Sequence, residues 1–451
     1  MSNRSLLKMS FFKTSLLKDF IELPQQQEVT QKSYRRELVT ELTVPMSFAV
    51  MEGGFVGVVA DKLYQVEPWV LAIITAAPMF SNLSSFVWAK IISGRDKVST
   101  IVTIQYLILL FTGLVALTPS EEWGAWIIVA AVIVVRLLMA GQITARSMVW
   151  SLNYGRSVRA RITGRLMLVH SFTMVMVVSL GGLSLDANPD SFRYIFCIAA
   201  ILGVIGVRAF SKITVPGDLA QIELESGSAP DASDKDTTSM WQVLKQDPAF
   251  ARYQRYQFLA GTSNMMLEAP LIYLVSNQLA ASYSVSLGIT VIIPFVVSMC
   301  ALPLWANYLD KHHVTLFRAR QSIFWVGSQL IMWLGALNGS FILLALGRLV
   351  LGIARGGGSL AWNLGHNDFS SQKLLATYMG AHVTLTGIRG ATAPFIGIAL
   401  YLGWSDVPLL ADFDGIGAGV FLIAACLSGL SWRGYNRMRA DLERQDEESK
   451  N

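Results

Sequence analysis

The chain has 451 residues, of which 53% are hydrophobic and only 15% charged, and its formal net charge is +5. Soluble globular chains carry about 25% charged residues. A chain this long with so little charge cannot cover a water-facing exterior with polar surface, which excludes an ordinary soluble globule and points to lipid as part of its surroundings.

Residues 1–39 read as a cytoplasmic tail. Leu6, Leu7, Phe11, Phe12, Leu16 and Leu17 alternate there with Lys8, Lys13 and Lys18. No uninterrupted apolar core or small-residue cleavage site follows, so a signal peptide is not expected. A basic amphipathic helix on the membrane surface and a disordered positive tail both fit. Spanning helices need about 20 mostly apolar residues. Such stretches fall at 40–60, 69–89, 99–118, 124–146, 162–184 and 191–211, and then at 256–277, 284–306, 316–336, 340–362, 373–402 and 414–432. Turn chemistry or charge separates them, as at Pro119-Ser120-Glu121-Glu122 and Asp310-Lys311-His312-His313. The eleventh stretch contains Gly387, Gly390, Pro394 and Gly397, which predicts a bend. The expected fold is therefore all-α integral membrane: twelve transmembrane helices in bundles 40–212 and 247–432, joined by a polar cytoplasmic linker at 213–246 and followed by a cytoplasmic tail at 433–451. Cys197, Cys300 and Cys426 lie in apolar runs without metal-ligand spacing. They are expected to be small buried apolar side chains rather than disulfide or zinc partners.

Most of the 36 Lys and Arg fall on one side of this scheme, in both tails, the linker and the loops after even-numbered spans. The other side has Lys62 and Arg193 against acids such as Glu67, Glu121, Glu122, Asp186 and Asp190. This asymmetry places both termini in the cytoplasm.

The halves repeat. Trp88-Ala89 recurs as Trp305-Ala306, and Glu52 corresponds to Glu268. At one constant offset Arg136 pairs with Arg348, Ser147 with Ser359, Trp150 with Trp362, Met167 with Met379 and His170 with His382. With five His and twelve Trp in the whole chain, such matches carry weight. Six helices per repeat is an even number, so the repeats are parallel, with a substrate site expected near the midplane between them.

On these residues the chain resembles the major facilitator superfamily over nearly its whole length. The family's tenth-helix pattern of Arg-x-x-x-Gly with further small residues is matched by Arg348, Gly352 and Gly356-Gly357-Gly358, and its fourth-helix counterpart by Arg136, Ala140 and Gly141. Of the loop motif Gly-x-x-x-Asp-Arg-x-Gly-Arg-Arg, the second copy keeps Asp310-Lys311, whereas the first has Ser93-Gly94-Arg95. The glycine-proline pattern of the family's antiporters is absent from 162–184. The resemblance implies transport by alternating access, with helices 1, 4, 7 and 10 lining a central cavity.

Ionisable groups inside a bilayer cost about 2.5–3.5 kcal/mol each on insertion scales and tend to be functional. Glu52 lies about twelve residues into its span, roughly 18 Å deep at 1.5 Å per residue, and Arg136 is similarly deep in the fourth. Glu268 and Arg348 repeat that placement. Two midplane Glu–Arg pairs follow, whose role is helix packing, proton coupling through a carboxyl group, or substrate binding. His170 and His382 read as packing residues or site residues. Arg389 has Val177 at its equivalent position and shares a helix face with His382 and Thr386, which suits an anionic group on the solute. Arg146, Arg355 and Asp310 are gate candidates. His312-His313 and His366-Asn367-Asp368 read as solvated loop residues, and Trp123, Trp126 and Trp404 as an interfacial belt.

No nucleotide-binding loop or nucleophile–base motif occurs, so neither an enzyme nor a cofactor or metal site is expected. The reading is a proton-coupled secondary transporter of a small polar or anionic solute, monomeric, in the plasma (bacterial inner) membrane. Its partners are the solute, protons and the lipid bilayer, without nucleic acid. The alternatives are a non-transporting receptor or assembly factor on the same scaffold, or a drug/proton efflux antiporter.

Overall fold

The computed structural model describes residues 28–219, 222–223, 240–366, 368–370, 374–403 and 413–448. These are mostly helical, with no strand among them. That follows from lipid, where every backbone polar group needs an internal partner. In the first half, α1 (Glu28–Val50) and α2 (Gly53–Tyr64) form one stretch broken at Met51 and Glu52. They are followed by α3 (Pro68–Ile92), α4 (Lys97–Val115), α5 (Glu122–Asn153), α6 (Arg156–Ala187) and α7 (Ser191–Phe210). In the second half, a short α8 (Met240–Gln246) leads into α9 (Pro248–Met265), then α10 (Glu268–Tyr273) and a π-helical turn at Leu274–Gln278. Next, α11 (Tyr283–Leu287) and a second π turn at Gly288–Ile292 run into α12 (Ile293–Leu309). The chain ends with α13 (Val314–Leu337), α14 (Phe341–Leu364), α15 (Leu375–Leu402) and α16 (Gly419–Glu448).

The repeat is physical. In the first half α1 packs on α6 and α7, α3 on α5, and α4 on α5 and α7. In the second, α9 packs on α15 and α16, α12 on α14, and α13 on α14 and α16. Trp88 Nε1 donates to the Leu137 carbonyl at 2.8 Å, and its counterpart Trp305 Nε1 donates to the Ile353 carbonyl at 2.8 Å. Between the halves α3 meets α15, and α6 meets α11.

Among the described residues nine helical stretches are long and apolar enough to cross a membrane, where the sequence suggested twelve. The other three fall short for visible reasons. α3 is apolar as far as Ser81 and again at Val87, Trp88, Ala89, Ile91 and Ile92, and its fully described apolar part, Pro68–Ser81, is shorter than a span. α13 holds Arg318, Arg320, Gln321, Ser322 and Gln329. α16 turns polar from Arg433 onward.

Several expectations need correction. The chain is already helical at Glu28, the first described residue, ahead of the expected span start at 40, and Tyr34 and Glu37 are fully buried on α1. The part of the tail before Glu28, the linker segment 224–239, Trp404 and Asn367 lie outside the described residues. The linker's last residues form α8, with Val243 buried beside Phe250. α16 continues through the expected tail boundary, burying Tyr435 and Met438. The three cysteines are exposed on outward helix faces, not buried. A uniformly apolar helix does not reveal which of its faces meets lipid, and Leu304 and Ile342, 74% and 80% exposed, share that outer surface. His366 is buried, which pushes its imidazole below the ordinary value. Asp368 accepts from Val314 N at 2.6 Å, capping α13. α15 runs unbroken through Pro394. Its glycines serve close approach: a Cβ on Gly390 would fall 2.0 Å from Met79 Cγ of α3.

Candidate functional site

A cavity of about 410 Å³ lies between the halves. Its polar lining includes Glu52, Arg136, Asn264, Glu268 and Arg355, and Met79, Met174 and Phe295 supply apolar wall.

The first Glu–Arg pair grows from the break between α1 and α2. Glu52 has extended backbone geometry there (φ −68°, ψ 135°), so its side chain leaves the helix surface and the Met51 carbonyl loses its place in the ladder. Arg136 Nη2 of α5 fills both needs, donating to Glu52 Oε2 at 2.7 Å and to Met51 O at 2.9 Å. Arg136 Nε has no partner. In the second half Arg348 of α14 grips Glu268 with both terminal nitrogens, at 3.2 and 3.4 Å. The π turn after α11 loosens the ladder, and its carbonyls on Ile289 and Thr290 accept from Arg348 as well, the former from Nε at 3.1 Å. In both pairs the guanidinium is buried behind the carboxylate. The Glu side chains are 32% and 28% exposed, against 8% and 2% for Arg136 and Arg348.

A second constellation sits where α1, α5 and α6 meet. Arg146 of α5 pairs with Glu37 at 3.1 Å and with Glu41. Glu37 also accepts from Trp150 Nε1 at 2.7 Å and from the Tyr154 hydroxyl at 2.5 Å. His170 Nδ1 is 2.8 Å from Glu41 Oε2. Both acids are essentially unexposed. Arg146 is thus held inside an ion-pair network, whereas the sequence presented it as an isolated gate candidate. The sequence reading missed Glu37 because Lys32, Arg35 and Arg36 made its surroundings look like a tail, and Glu41 because it sits at the very start of the expected first span. Their signal was the i, i+4 spacing with Tyr34 one turn before.

The equivalent corner of the second half differs. His382 Nδ1 is 3.1 Å from Gln254 Oε1, an amide where the first half has a carboxylate. Arg389 donates to the Gln257 carbonyl and, at 3.3 Å, to Thr386 Oγ1, which also accepts from Trp362 Nε1 at 3.3 Å. Arg355 is exposed to the central cavity. Asp310 is exposed at the end of α12, away from these groups. The structure therefore brings Glu52 to Arg136, Glu268 to Arg348, Arg146 to His170 through Glu41, and Arg389 to His382 through Thr386, and leaves Asp310 apart.

At the far end from these corners the halves touch through polar contacts. Asp61 Oδ2 accepts from the Ser276 hydroxyl, Lys62 Nζ donates to Ser276 O at 3.1 Å, and Asp186 Oδ1 accepts from Tyr283 N at 2.5 Å.

Residues 68–394 match the sequence model of the Major Facilitator Superfamily, well over half of the chain. No curated protein matches it. Among solved structures, a mutant of the nucleoside transporter NupG superposes with a TM-score of 0.68 at 10% identity, covering 91% of this chain and 100% of that one. A D-xylose–proton symporter gives 0.63 at 12% identity, over 90% and 96%. The xylose transporter XylE from E. coli, in a partially occluded inward-open form, gives 0.61 at 12%, over 90% and 97%. At such identity the likeness concerns the fold alone. The chain is an integral membrane protein and belongs to the major facilitator superfamily.

Proposed function

We propose that this chain is a proton-coupled secondary transporter that carries a small polar or anionic solute through the cavity between its halves by alternating access. The observation that carries the reading is the pair of cavity-facing carboxylates, Glu52 and Glu268, each backed by a buried arginine from the same half. A proton taken up by Glu52 turns its carboxylate into a neutral acid and removes the ionic half of the pair, leaving Arg136 on the Met51 carbonyl. The charge presented to the cavity then differs between the protonated and free states, which is what coupling requires. The structural relatives, a nucleoside transporter and a xylose–proton symporter, agree with this class.

In this reading the chain spans the membrane twelve times, with α3, α13 and α16 among the spans and the polar Gln321, Ser322 and Gln329 of α13 buried against protein, and both termini lie in the cytoplasm of a plasma membrane. The Asp61, Lys62 and Asp186 contacts then close the outer end, and the cavity is reached from the basic side. The test is uptake by purified protein in liposomes under an imposed pH gradient. Accumulation or exchange of a member of a broad solute panel supports transport. If no member moves, a receptor on this scaffold becomes the better reading.

A further inference from the structure

Beside the central cavity lies a second chamber of about 240 Å³ inside the C-terminal half. The two share Asn264, Met265 and Arg355 in their walls, so a solute in the cavity has the chamber next to it. Three arginines line the chamber: Arg318 from α13, Arg355 from α14 and Arg389 from α15. Arg318 and Arg389 are each only 4% exposed. Among the described residues no carboxylate lies within ion-pair distance of either. Arg318 Nη1 reaches Gln321 Oε1 at 3.2 Å, and Arg389 reaches the Gln257 carbonyl and Thr386 Oγ1. These are neutral acceptors. Arg318 Nε and Nη2 and Arg389 Nε have no hydrogen-bond partner at all.

Buried cations without counter-charge are costly, and unpaired buried donors add to that cost. The first half shows how this scaffold neutralises such a corner, since its Arg146 and His170 have Glu37 and Glu41. In the second half Gln254 takes the carboxylate's place beside the histidine. Gly261 adds a structural provision: a Cβ there would fall 2.1 Å from Arg389 Cζ, so only glycine lets the guanidinium lie against α9. Guanidinium forks match the geometry of carboxylate and phosphate oxygens.

We propose that this chamber is the subsite for an oxyanion group, a carboxylate or phosphate, at one end of the solute, with Arg318 and Arg389 as its ligands and Arg355 at its mouth. This rests on the transport reading for the solute's passage, though not for the binding itself. The test is thermal stabilisation of the purified full-length protein by inorganic phosphate, acetate and succinate at constant ionic strength, with sucrose as neutral control. At least one anion is expected to stabilise the wild type saturably and sucrose not. Phosphate against the two carboxylates tells which oxyanion the site takes. Arg318→Gln and Arg389→Gln should each weaken binding by roughly tenfold to a hundredfold, as loss of a charge-assisted bond does. Gln257→Glu places a carboxylate inside the chamber as a built-in competitor, so it should keep the fold and lose the anion effect. Arg320→Gln, altered at a residue stacked on Tyr308 away from the chamber, should bind as the wild type does. If no anion stabilises the wild type, or if Gln257→Glu binds it equally well, the subsite is overturned. Anion binding without exchange across liposomes would sink the transport reading and leave the subsite standing. Transport of neutral solutes without anion binding would do the reverse.

Discussion

The two Glu–Arg pairs occupy equivalent places in the two halves, yet they are built differently. Arg348 uses four of its five N–H donors, with both terminal nitrogens on Glu268 and two π-turn carbonyls accepting from Nε and Nη2. Arg136 makes one bond to Glu52, one to a carbonyl and a long one from Nη1 to Met139 Sδ at 4.0 Å, and its Nε is left over. The difference separates two jobs that the repeat alone makes look identical. The more fully bonded guanidinium fixes the α10–α14 contact and has little to gain from rearrangement. The one with more spare donors has alternative partners to seek when its carboxylate is neutralised, so within the coupling proposed above Glu52 is a better proton acceptor than Glu268.

The largest expected effect comes from breaking the more fully bonded pair. Arg348→Gln strands Glu268 and two carbonyls, and loss of one partner from a buried pair costs about 3–5 kcal/mol. Thermal unfolding of the purified protein should show this, while Arg136→Gln should cost clearly less. Equal losses would erase the distinction. The next effect is on coupling. Glu52→Gln should abolish uptake driven by a pH gradient while leaving solute exchange within about threefold, because a permanently neutral side chain forfeits only the proton-linked change. Gradient-driven uptake that survives in Glu52→Gln but vanishes in Glu268→Gln would reverse the assignment. A smaller effect is expected at the contacts joining the halves. Asp186 accepts from Tyr283 N and Ser284 N at the start of α11, a capping arrangement supplied across the interface. Asp186→Ala should shift the balance away from this conformation by about 1 kcal/mol, roughly fivefold in population, read as increased labelling of a cysteine introduced at Tyr64. The smallest effect sharpens the repeat itself. Trp88→Phe and Trp305→Phe each remove one indole-to-carbonyl bond and should each lower stability by about 1 kcal/mol, a matched pair in thermal melts.

Much of this was legible in the sequence. Spacing and depth alone put Glu52 with Arg136 and Glu268 with Arg348, because ionisable residues stand out against apolar spans. The limits came from two directions. Where polar residues crowd a helix end, the apolar signal fades, so Glu37 was taken into a tail, and Glu41 and Arg318, at the very starts of their expected spans, were passed over. All three belong to helices whose polar faces turn toward protein. Where a helix is apolar all round, no periodicity distinguishes lipid from core, and the cysteines were placed on the wrong side. The gap between twelve expected spans and nine sufficiently apolar ones has the same origin, since α13 earns its place through buried arginine and glutamine rather than through hydropathy.

One last feature is the glycine seam where α2 meets the other half. A Cβ on Gly54 would fall 2.4 Å from Val291 Cγ2, and one on Gly57 3.1 Å from Ile272 Cδ1. The missing side chains leave notches on α2 in which Val291 and Ile272 seat, so the two halves approach closely here. Such a seam works as a shallow socket: it has a preferred seating, and rocking the halves apart must lift two aliphatic side chains out of it. Resistance to rocking then has two sources, the polar contacts at the rim and this pair of notches, and a bulkier residue at Gly54 or Gly57 would disturb the second without touching the first.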